Sequence, residues 1–142
     1  MSEIETDIAI IGAGPVGLFA VFECGMLKMR SVLIDALGET GGQCSALYPE
    51  KPIYDIPAHP AIEAGALIER LEQQIAPFAA PRLLGQRVIG LAGGPGDFTL
   101  TTDAGEIVRA KAVLIAAGAG AFGPNRPPLE GLAAYEATGA VH

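Results

Sequence analysis

The sequence is 142 residues long, which is enough for one ordinary domain with a buried core. Hydrophobic residues make up 50% of it, the mean hydropathy is +0.39 and charged residues make up 18%, a composition that excludes a disordered chain. The formal net charge of −7 leaves a nucleic-acid partner without electrostatic support, because a surface that binds phosphates needs clustered Lys and Arg.

The N-terminal region predicts neither a secretory signal nor a membrane span. The apolar stretch 8–22 follows acidic residues where a signal peptide needs positive charge, and it is too short to cross a bilayer. The two cysteines, Cys24 and Cys44, form neither a CxxC pair nor a metal-ligand cluster. Because free thiols are typical of a reducing compartment, we expect a cytoplasmic protein without a membrane partner.

A βαβ unit is predicted at the start of the chain. Residues 7–11 are a nearly continuous apolar run that ends at Gly12, as is typical of a parallel strand buried on both faces. Pro15 suits the first turn of a helix, and residues 16–27 are apolar almost all round, which predicts a helix that packs tightly between the sheet and its neighbours. Residues 31–35 have the pattern of a second strand, and the crossover of such a unit is right-handed.

An irregular segment and a second helix follow. Periodicity fails over residues 36–60, and an irregular loop of this length in a compact domain is usually functional. Apolar residues then recur at helical spacing, which predicts an amphipathic helix from Glu63 to about Ala76 that ends at Pro77.

The pattern changes to that of strands after this helix. Three strand-like segments are separated by the glycine-containing turns 93–96 and 103–105, which predicts a β-meander: residues 86–91, 97–102 and 106–109. Residues 111–116 predict a further buried strand, which leads into the small-residue turn 117–120. The expected fold class is therefore α/β, with a parallel sheet and a β-meander.

The turn between the first strand and the first helix reads GAGPVG and matches the pattern GxGxxG. The pattern alone is weak, but here it follows a predicted strand and opens a predicted helix at Pro15. Gly12 would permit the tight turn, Gly14 would let a pyrophosphate approach the backbone, and Gly17 would let helix and strand pack closely.

Asp35, at the end of the second predicted strand, completes the pattern of a dinucleotide-binding site. Its carboxylate would accept hydrogen bonds from the ribose hydroxyls of the adenosine and would repel a 2′-phosphate. The site therefore favours FAD or NAD over NADP. The alternative interpretation is a tight structural turn beside an acid that ends a strand.

A narrower similarity lies in the irregular segment. Residues 41–57 read GGQCSALYPEKPIYDIP and resemble the corresponding loop of the thioredoxin-reductase-like ferredoxin/flavodoxin–NADP+ reductases. Together with GAGPVG and with GAGAF at residues 118–122, the resemblance runs over nearly the whole chain. It implies a Rossmann-like FAD-binding domain of which residues 1–142 are the N-terminal portion. The NADP-binding domain and the returning FAD segment of the family are expected to be absent from these residues.

The resemblance also implies which residues contact FAD: Asp35 at the ribose, Gln43 and Tyr48 from the loop, Val88 through its backbone at the adenine, and Phe122 near the flavin. By their chemistry alone, Gln43 offers both a donor and an acceptor, and Tyr48 combines a flat ring with a hydroxyl. Without the resemblance, a turn-stabilising amide and a core tyrosine are the favoured interpretations. The roles of Val88 and Phe122 rest wholly on the resemblance.

The activity that the resemblance implies is electron transfer through the cofactor. NADPH would pass hydride to the flavin, which would release electrons one at a time to ferredoxin or flavodoxin, and the intact protein would be a homodimer. Because the flavin carries this chemistry, we predict no catalytic side chain and no metal site. Residues 1–142 alone are expected to lack reductase activity, and Cys44 is expected to be a small buried thiol without a redox role.

Three other functions fit parts of the sequence. One is thioredoxin reductase, whose CxxC would lie beyond residue 142. A second is another FAD-dependent oxidoreductase, such as a monooxygenase, which the glycine motif alone would allow. The third is a non-catalytic module that binds NAD or FAD.

Overall fold

The computed structural model describes residues 3–120 of the chain. Within this range a six-stranded sheet is flanked by helices, and a short two-stranded sheet lies in the irregular segment. The strands are β1 Glu3–Ile11, β2 Ser31–Asp35, β3 Pro52–Ile53, β4 Ile62–Glu63, β5 Arg82–Leu84, β6 Val88–Gly94, β7 Asp97–Thr102 and β8 Ile107–Ile115. The α-helices are α1 Pro15–Met26, α2 Gln43–Ala46 and α3 Ala64–Ile75.

The larger sheet has the strand order β5-β2-β1-β8-β7-β6. β1 lies inside it and pairs in parallel with β2 on one side and with β8 on the other. β5 pairs in parallel with β2, β7 is antiparallel to β8, and β6 is antiparallel to β7. The predicted α/β fold class, with a parallel sheet and a β-meander, is confirmed.

Two hydrophobic clusters hold the layers together. The first joins α1 and α3 to one face of the sheet and contains Leu18, Leu33 and Ile68. The second lies on the opposite face and joins β1 and β2 to β7 and β8, and it includes Val32 and Ile34. Neighbouring residues of β2 belong to different clusters because successive side chains of a strand point to opposite faces. β2 is therefore buried on both faces, as its continuous apolar run predicts.

The predicted βαβ unit is present, with one change of boundary. α1 begins at Pro15 and β2 covers Ser31–Asp35, as predicted. β1 begins at Glu3 rather than at Asp7, because its pairing with β8 continues to the pair Glu3↔Ile107. Pairing with a distant strand extends β1 beyond its apolar residues.

α1 packs between the sheet and α3, as predicted, and its outer face is apolar and exposed. Val16, Phe19 and Met26 are 68%, 45% and 61% exposed, whereas Leu18 and Val21 are buried. In residues 3–120, the sheet and α3 cover one side of this helix. An all-round apolar composition indicates burial, but it does not tell on how many sides neighbours are present.

The predicted strands 106–109 and 111–116 are one strand, β8. Its register with β1 continues across the predicted break: Glu5↔Arg109, Thr6↔Ala110 and Ile8↔Ala112. No Gly or Pro lies within residues 106–116, so nothing in the backbone chemistry interrupts the strand. β8 is therefore both the third strand of the meander and a strand of the parallel part of the sheet.

Smaller differences concern short elements. β6 includes Gly93 and Gly94, which the sequence had assigned to a turn, because both pair with β7. Pro77 does not end the helical path at once but lies in a 3₁₀ helix, Ala76–Phe78, where its missing N–H is tolerated. β3, β4, β5 and α2 were not predicted, since segments of two to four residues carry too little periodicity to be recognised.

An ion cluster joins the middle of β1 and of β8 to Arg30, the residue that precedes β2. The Asp7 carboxylate accepts a hydrogen bond from the backbone N–H of Arg30, with an N–O distance of 2.8 Å. The Lys111 ammonium on β8 lies 2.8 Å from the other carboxylate oxygen, Oδ1, and Arg30 Nε lies 3.5 Å from Oδ2. The hydrogen bonds from Lys111 and from the Arg30 backbone lower the pKa of Asp7 from 3.8 to about 2.

We expect Asp7 to make the stability of the protein depend on acid pH. Because its pKa in the folded protein lies below 3.8, folding favours the charged form; this contribution is present above pH 3.8 and is lost as the pH falls to about 2. Asp7→Asn should therefore flatten the decline of the free energy of unfolding between these pH values, measured by urea denaturation. Asp55→Asn, at an exposed position of the irregular segment, is the matched control. Equal slopes for Asp7→Asn and the wild type would contradict this assignment.

Candidate functional site

A cavity of about 560 Å³ lies at the carboxyl ends of β1, β2 and β8. Ligands of parallel α/β sheets bind at this edge of the sheet. Most of the residues that the sequence marked as a site line this one cavity: Gly12, Gly14, Pro15, Asp35, Gln43, Tyr48 and Val88. Gly17 packs behind the cavity, and Phe122 lies outside the described residues.

The turn after β1 is formed around Gly12. Its φ is +107°, and its N–H donates to the carbonyl oxygen of Ile34 at 2.8 Å. A Cβ at this position would lie 2.2 Å from the carbonyl oxygen of Ala116, which follows β8, so only glycine allows the approach. A Cβ on Gly17 would lie 1.8 Å from the Gly12 carbonyl oxygen, so the first turn of α1 packs directly on the loop, as its motif predicts.

The N-terminus of α1 faces the cavity with unpaired backbone donors. Gly14 is the N-cap residue and provides no side-chain cap, and Pro15 has no N–H. The first intrahelical donor is Leu18, whose N–H donates to the Gly14 carbonyl oxygen, so the N–H of Val16 has no partner within the helix. A Cβ on Gly14 would have no heavy atom within 4 Å. This space at the positive end of a helix dipole suits a phosphate group.

Asp35 connects the glycine turn to the end of β2. Its Oδ2 accepts a hydrogen bond from the Ala13 N–H at 2.6 Å, and its Oδ1 accepts one from the Leu37 N–H at 2.8 Å. A carboxylate oxygen can accept more than one hydrogen bond, so these contacts leave capacity for hydroxyl groups of a ligand. Asp35 thus has the structural role of an acid that ends a strand, and this role does not exclude the predicted contact with a ribose.

Gln43 and Tyr48 form the part of the wall that belongs to the irregular segment. The Tyr48 hydroxyl donates to Gln43 Oε1 at 3.3 Å. This bond uses the acceptor of the Gln43 side chain and leaves its amide N–H groups as donors. The Lys51 ammonium lies 5.1 Å from the centroid of the Tyr48 ring, a cation–π contact that helps to fix the ring.

Both cysteines are free and buried, and Cys44 lines the cavity. Burial raises the pKa of the Cys44 thiol and that of the Cys24 thiol. A raised pKa disfavours the nucleophilic thiolate. These surroundings support the prediction that Cys44 is a small buried thiol without a redox role.

The cavity also contains residues that sequence reasoning missed. Gly42 lies against the N-terminus of α1, because a Cβ on it would be only 3.3 Å from the Gly14 Cα. The neighbouring glycines at 41 and 42 were the signal for such a close approach. Gln86 and Arg87 line the cavity beside Val88, and Arg87 is the one cation among its described lining residues. No sequence pattern indicates that Arg87 belongs to the site, because it lies in the predicted strand 86–91 and in none of the recognised motifs.

Other kinds of site are not found in this part of the chain. Among residues 3–120, no group of three or more His, Cys, Asp or Glu side chains could hold a metal ion. No helix in the same range is both long enough and apolar enough to span a membrane.

Comparison with known families agrees with this geometry. The family described as pyridine nucleotide-disulphide oxidoreductase matches residues 6–141. The chain belongs to this family. Among the solved structures of similar fold is thioredoxin reductase from Streptococcus pyogenes MGAS5005, with a TM-score of 0.70 and 21% identity over 94% of this chain and 41% of that chain. This likeness shows that the chain and the thioredoxin reductase share a fold.

Curated relatives of this chain are much more similar in sequence. The ferredoxin–NADP reductase of Acidiphilium cryptum is 80% identical over 138 residues, and that of Gluconobacter oxydans is 74% identical over 138 residues. Each alignment covers 97% of this chain and 41% of the relative. The chain therefore spans well under half the length of the relatives that it matches.

The close approach at Gly12 predicts an unequal response to two alanine substitutions. Gly12→Ala combines a positive φ with a Cβ too near Ala116, so we expect it to lower the free energy of unfolding by about 2 kcal/mol or more. Gly94→Ala, where a Cβ has no heavy atom within 4 Å, should change it by less than about 0.5 kcal/mol. Denaturant unfolding measures both values, and equal stability of the two variants would show that the turn tolerates a side chain.

Proposed function

We propose that this chain is the FAD-binding portion of a flavoprotein reductase that passes electrons between NADPH and ferredoxin or flavodoxin. The observation that carries the proposal is the meeting of the glycine turn, Asp35, Gln43 and Tyr48 in one cavity. The cavity belongs to a chain that is 80% identical over 138 residues to a protein named ferredoxin–NADP reductase.

The described residues suit the adenosine diphosphate part of FAD. The N-terminus of α1, with its open space at Gly14, would hold the pyrophosphate through backbone N–H groups, so the acidic chain needs no cluster of basic side chains. Asp35 would accept hydrogen bonds from the adenosine ribose, and its charge disfavours a 2′-phosphate at this position. Val88, at the start of β6, would present its backbone to the adenine.

The rest of the site would take the ribityl and flavin parts of the cofactor. Gln43 donates through its amide group, and Tyr48 holds the amide in place by the hydrogen bond between their side chains. Phe122 is proposed near the flavin on the resemblance alone. FAD is favoured over NAD because the irregular segment, α3 and the meander follow the βαβ unit, where a simple NAD-binding unit would continue the βαβ alternation.

FAD, when bound, supplies hydride acceptance and single-electron transfer. The residues of this chain would bind and orient the cofactor and limit the access of water to it, so none is assigned as an acid, base or nucleophile. The chain spans 41% of the length of its relatives. We assign NADPH binding and the remaining FAD contacts to the rest of such a reductase.

The compartment and the oligomeric state extend this proposal. Cys24 and Cys44 are free and buried, which suits the reducing cytoplasm. The homodimer of the intact protein stays a prediction from the resemblance, and sedimentation of the FAD-loaded protein would test it.

Gly14→Ala is expected to separate cofactor binding from folding. Its φ is −72°, so alanine is tolerated at the N-cap with a loss of less than about 1 kcal/mol of stability. The added methyl group would occupy the space where the pyrophosphate approaches, so the Kd for FAD should rise at least about tenfold, the effect of roughly 1.4 kcal/mol. Flavin fluorescence titration of the intact apoprotein measures the Kd, with Gly94→Ala as the control. If Gly14→Ala binds FAD with unchanged affinity, the assignment of the pyrophosphate to the N-terminus of α1 is wrong.

Turnover of the intact, FAD-loaded protein tests the reductase assignment. We expect NADPH to be oxidised when ferredoxin or flavodoxin is the acceptor and not when thioredoxin is. Reduction of thioredoxin in their place would make the protein a thioredoxin reductase. FAD binding without NADPH oxidation by any of the three acceptors would contradict the reductase assignment and leave the FAD site intact.

A further inference from the structure

We infer that Glu72 is a positioning residue for the cavity: held by Arg82, it fixes Thr40 and thereby sets the position of the cavity loop, which we define as residues 41–43. The inference deepens the proposed function and rests on it, because the positioned loop is the part of the irregular segment that would meet the cofactor. Neither Glu72 nor Arg82 lines the cavity.

A hydrogen-bonded group of three side chains carries the inference. Arg82, at the start of β5, donates through Nη1 to Glu72 Oε1 at 3.0 Å and through Nη2 to Glu72 Oε2 at 2.7 Å. The Thr40 hydroxyl donates to the same Oε1 at 2.5 Å. A two-pronged guanidinium–carboxylate pair fixes the direction of the carboxylate, so Oε1 is held at a defined place for Thr40.

The charged form of Glu72 is the one that this arrangement favours. Partial burial raises the pKa of the carboxyl group, but hydrogen bonds from Arg82 and Thr40 outweigh it and lower the pKa below its usual value. The Glu72 side chain is 25% exposed and the Arg82 side chain 36%, so water screens the pair only in part. The Thr40 hydroxyl therefore donates to an ionised acceptor, which makes a stronger bond than a neutral one.

The backbone carries this restraint from Thr40 into the cavity. The N–H of the next residue, Gly41, donates to the carbonyl oxygen of Ala13 in the glycine turn at 2.8 Å. The Ala13 N–H in turn donates to Asp35 Oδ2 at 2.6 Å. Gly42 then stands against Gly14, at the N-terminus of α1. A displacement of Thr40 would therefore move the cavity loop relative to the place proposed for the pyrophosphate.

α3 contacts the same loop at a second point. Ile68 lies one helical turn before Glu72, and a Cβ on Gly41 would lie 3.1 Å from its Cγ1 atom. This apolar contact brings α3 and the loop together but has no preferred direction, whereas the hydrogen bond from Thr40 restricts the orientation of the loop. Glu72 and Ile68 therefore lie on the same face of α3, which is the face that contacts the loop.

The competing explanation is that the Glu72–Arg82 pair only ties α3 to the edge strand β5. Partly exposed ion pairs of this kind add little to stability. Thr40 separates the two explanations, because Thr40→Val removes the hydroxyl and leaves the ion pair and the volume of the side chain in place.

The test measures the Kd for FAD in the intact apoprotein by flavin fluorescence titration, together with the unfolding midpoint of each apoprotein. Thr40→Val and Glu72→Gln are expected to raise the Kd about tenfold, as the loss of a hydrogen bond to a charged group would. Thr40→Ser keeps the hydroxyl, and Glu69→Gln removes a charge from an exposed position of the same helix; both should stay within about twofold of the wild type. The apoprotein midpoint of Thr40→Val is expected to lie slightly below that of Thr40→Ser, because the hydrogen bond is also lost from the folded apoprotein.

A double variant adds a readout that a merely structural role would not move. Thr40→Val combined with Glu72→Gln should bind FAD no more weakly than the weaker single variant, because both changes remove the same interaction. Independent losses that multiply, or wild-type affinity of Thr40→Val, would overturn the inference and leave the FAD site in place. A wild-type protein that does not bind FAD would overturn the inference and the proposed function together. If Glu72→Gln fails to fold, the comparison of Thr40→Val with Thr40→Ser decides.

Discussion

The pairing of β1 with β8 is the constraint on which the other features depend. The two strands run in parallel along their whole length, from Glu3↔Ile107 to Ile11↔Ile115. Because both end at the same edge of the sheet, the turn after each strand is brought to the same place, and Gly12 meets the carbonyl of Ala116 there. The cavity exists because the chain leaves two adjacent parallel strands at this point.

The irregular segment completes the cavity through polar contacts as well as through packing on the first hydrophobic cluster, which contains Cys44 and is contacted by Tyr48 and Ile53. Asp35 and the Gly41 N–H both bond to the backbone of Ala13, so the glycine turn is held from two directions. Thr40 and Glu72 extend this connection to α3 and to β5. A loop that must meet a polar ligand cannot bury much apolar surface on that side, and hydrogen bonds to its neighbours stabilise it instead.

Much of the fold was predictable because its elements carry strong patterns. The run of apolar residues before Gly12, the proline at the start of α1 and the apolar spacing in α3 each have a local physical cause, and each gave the right element. The division of β8 into two strands was wrong because its continuity depends on pairing with β1, a partner far away in the sequence. β5 could not be predicted for the same reason. It is a strand only because it pairs with β2 at the edge of the sheet.

The candidate site divides in a similar way. GAGPVG and Asp35 could be assigned to the candidate site because a tight turn from strand to helix demands small residues and because an acid follows at the end of the next strand. Gln43 and Tyr48 needed a resemblance, since an amide and a tyrosine in a loop have many possible roles. The contacts of Arg87 and Glu72 could not be predicted, because they depend on where two helices and a meander come to rest on the sheet.

The long reach of the β1–β8 pairing also determines the order in which the molecule is completed. The ion pair of Glu3 with Arg109 joins residues that are 106 positions apart, whereas β1, α1 and β2 need only the first 35 residues. Contacts of such separation form late, because the entropy of closing the intervening chain must be overcome first. During synthesis on the ribosome, the βαβ unit can form before β8 has emerged, and its unpaired edge stays open to other strands until then. The cavity is therefore complete only after β8 has paired with β1, so any ligand that occupies it binds after this part of the sheet has assembled.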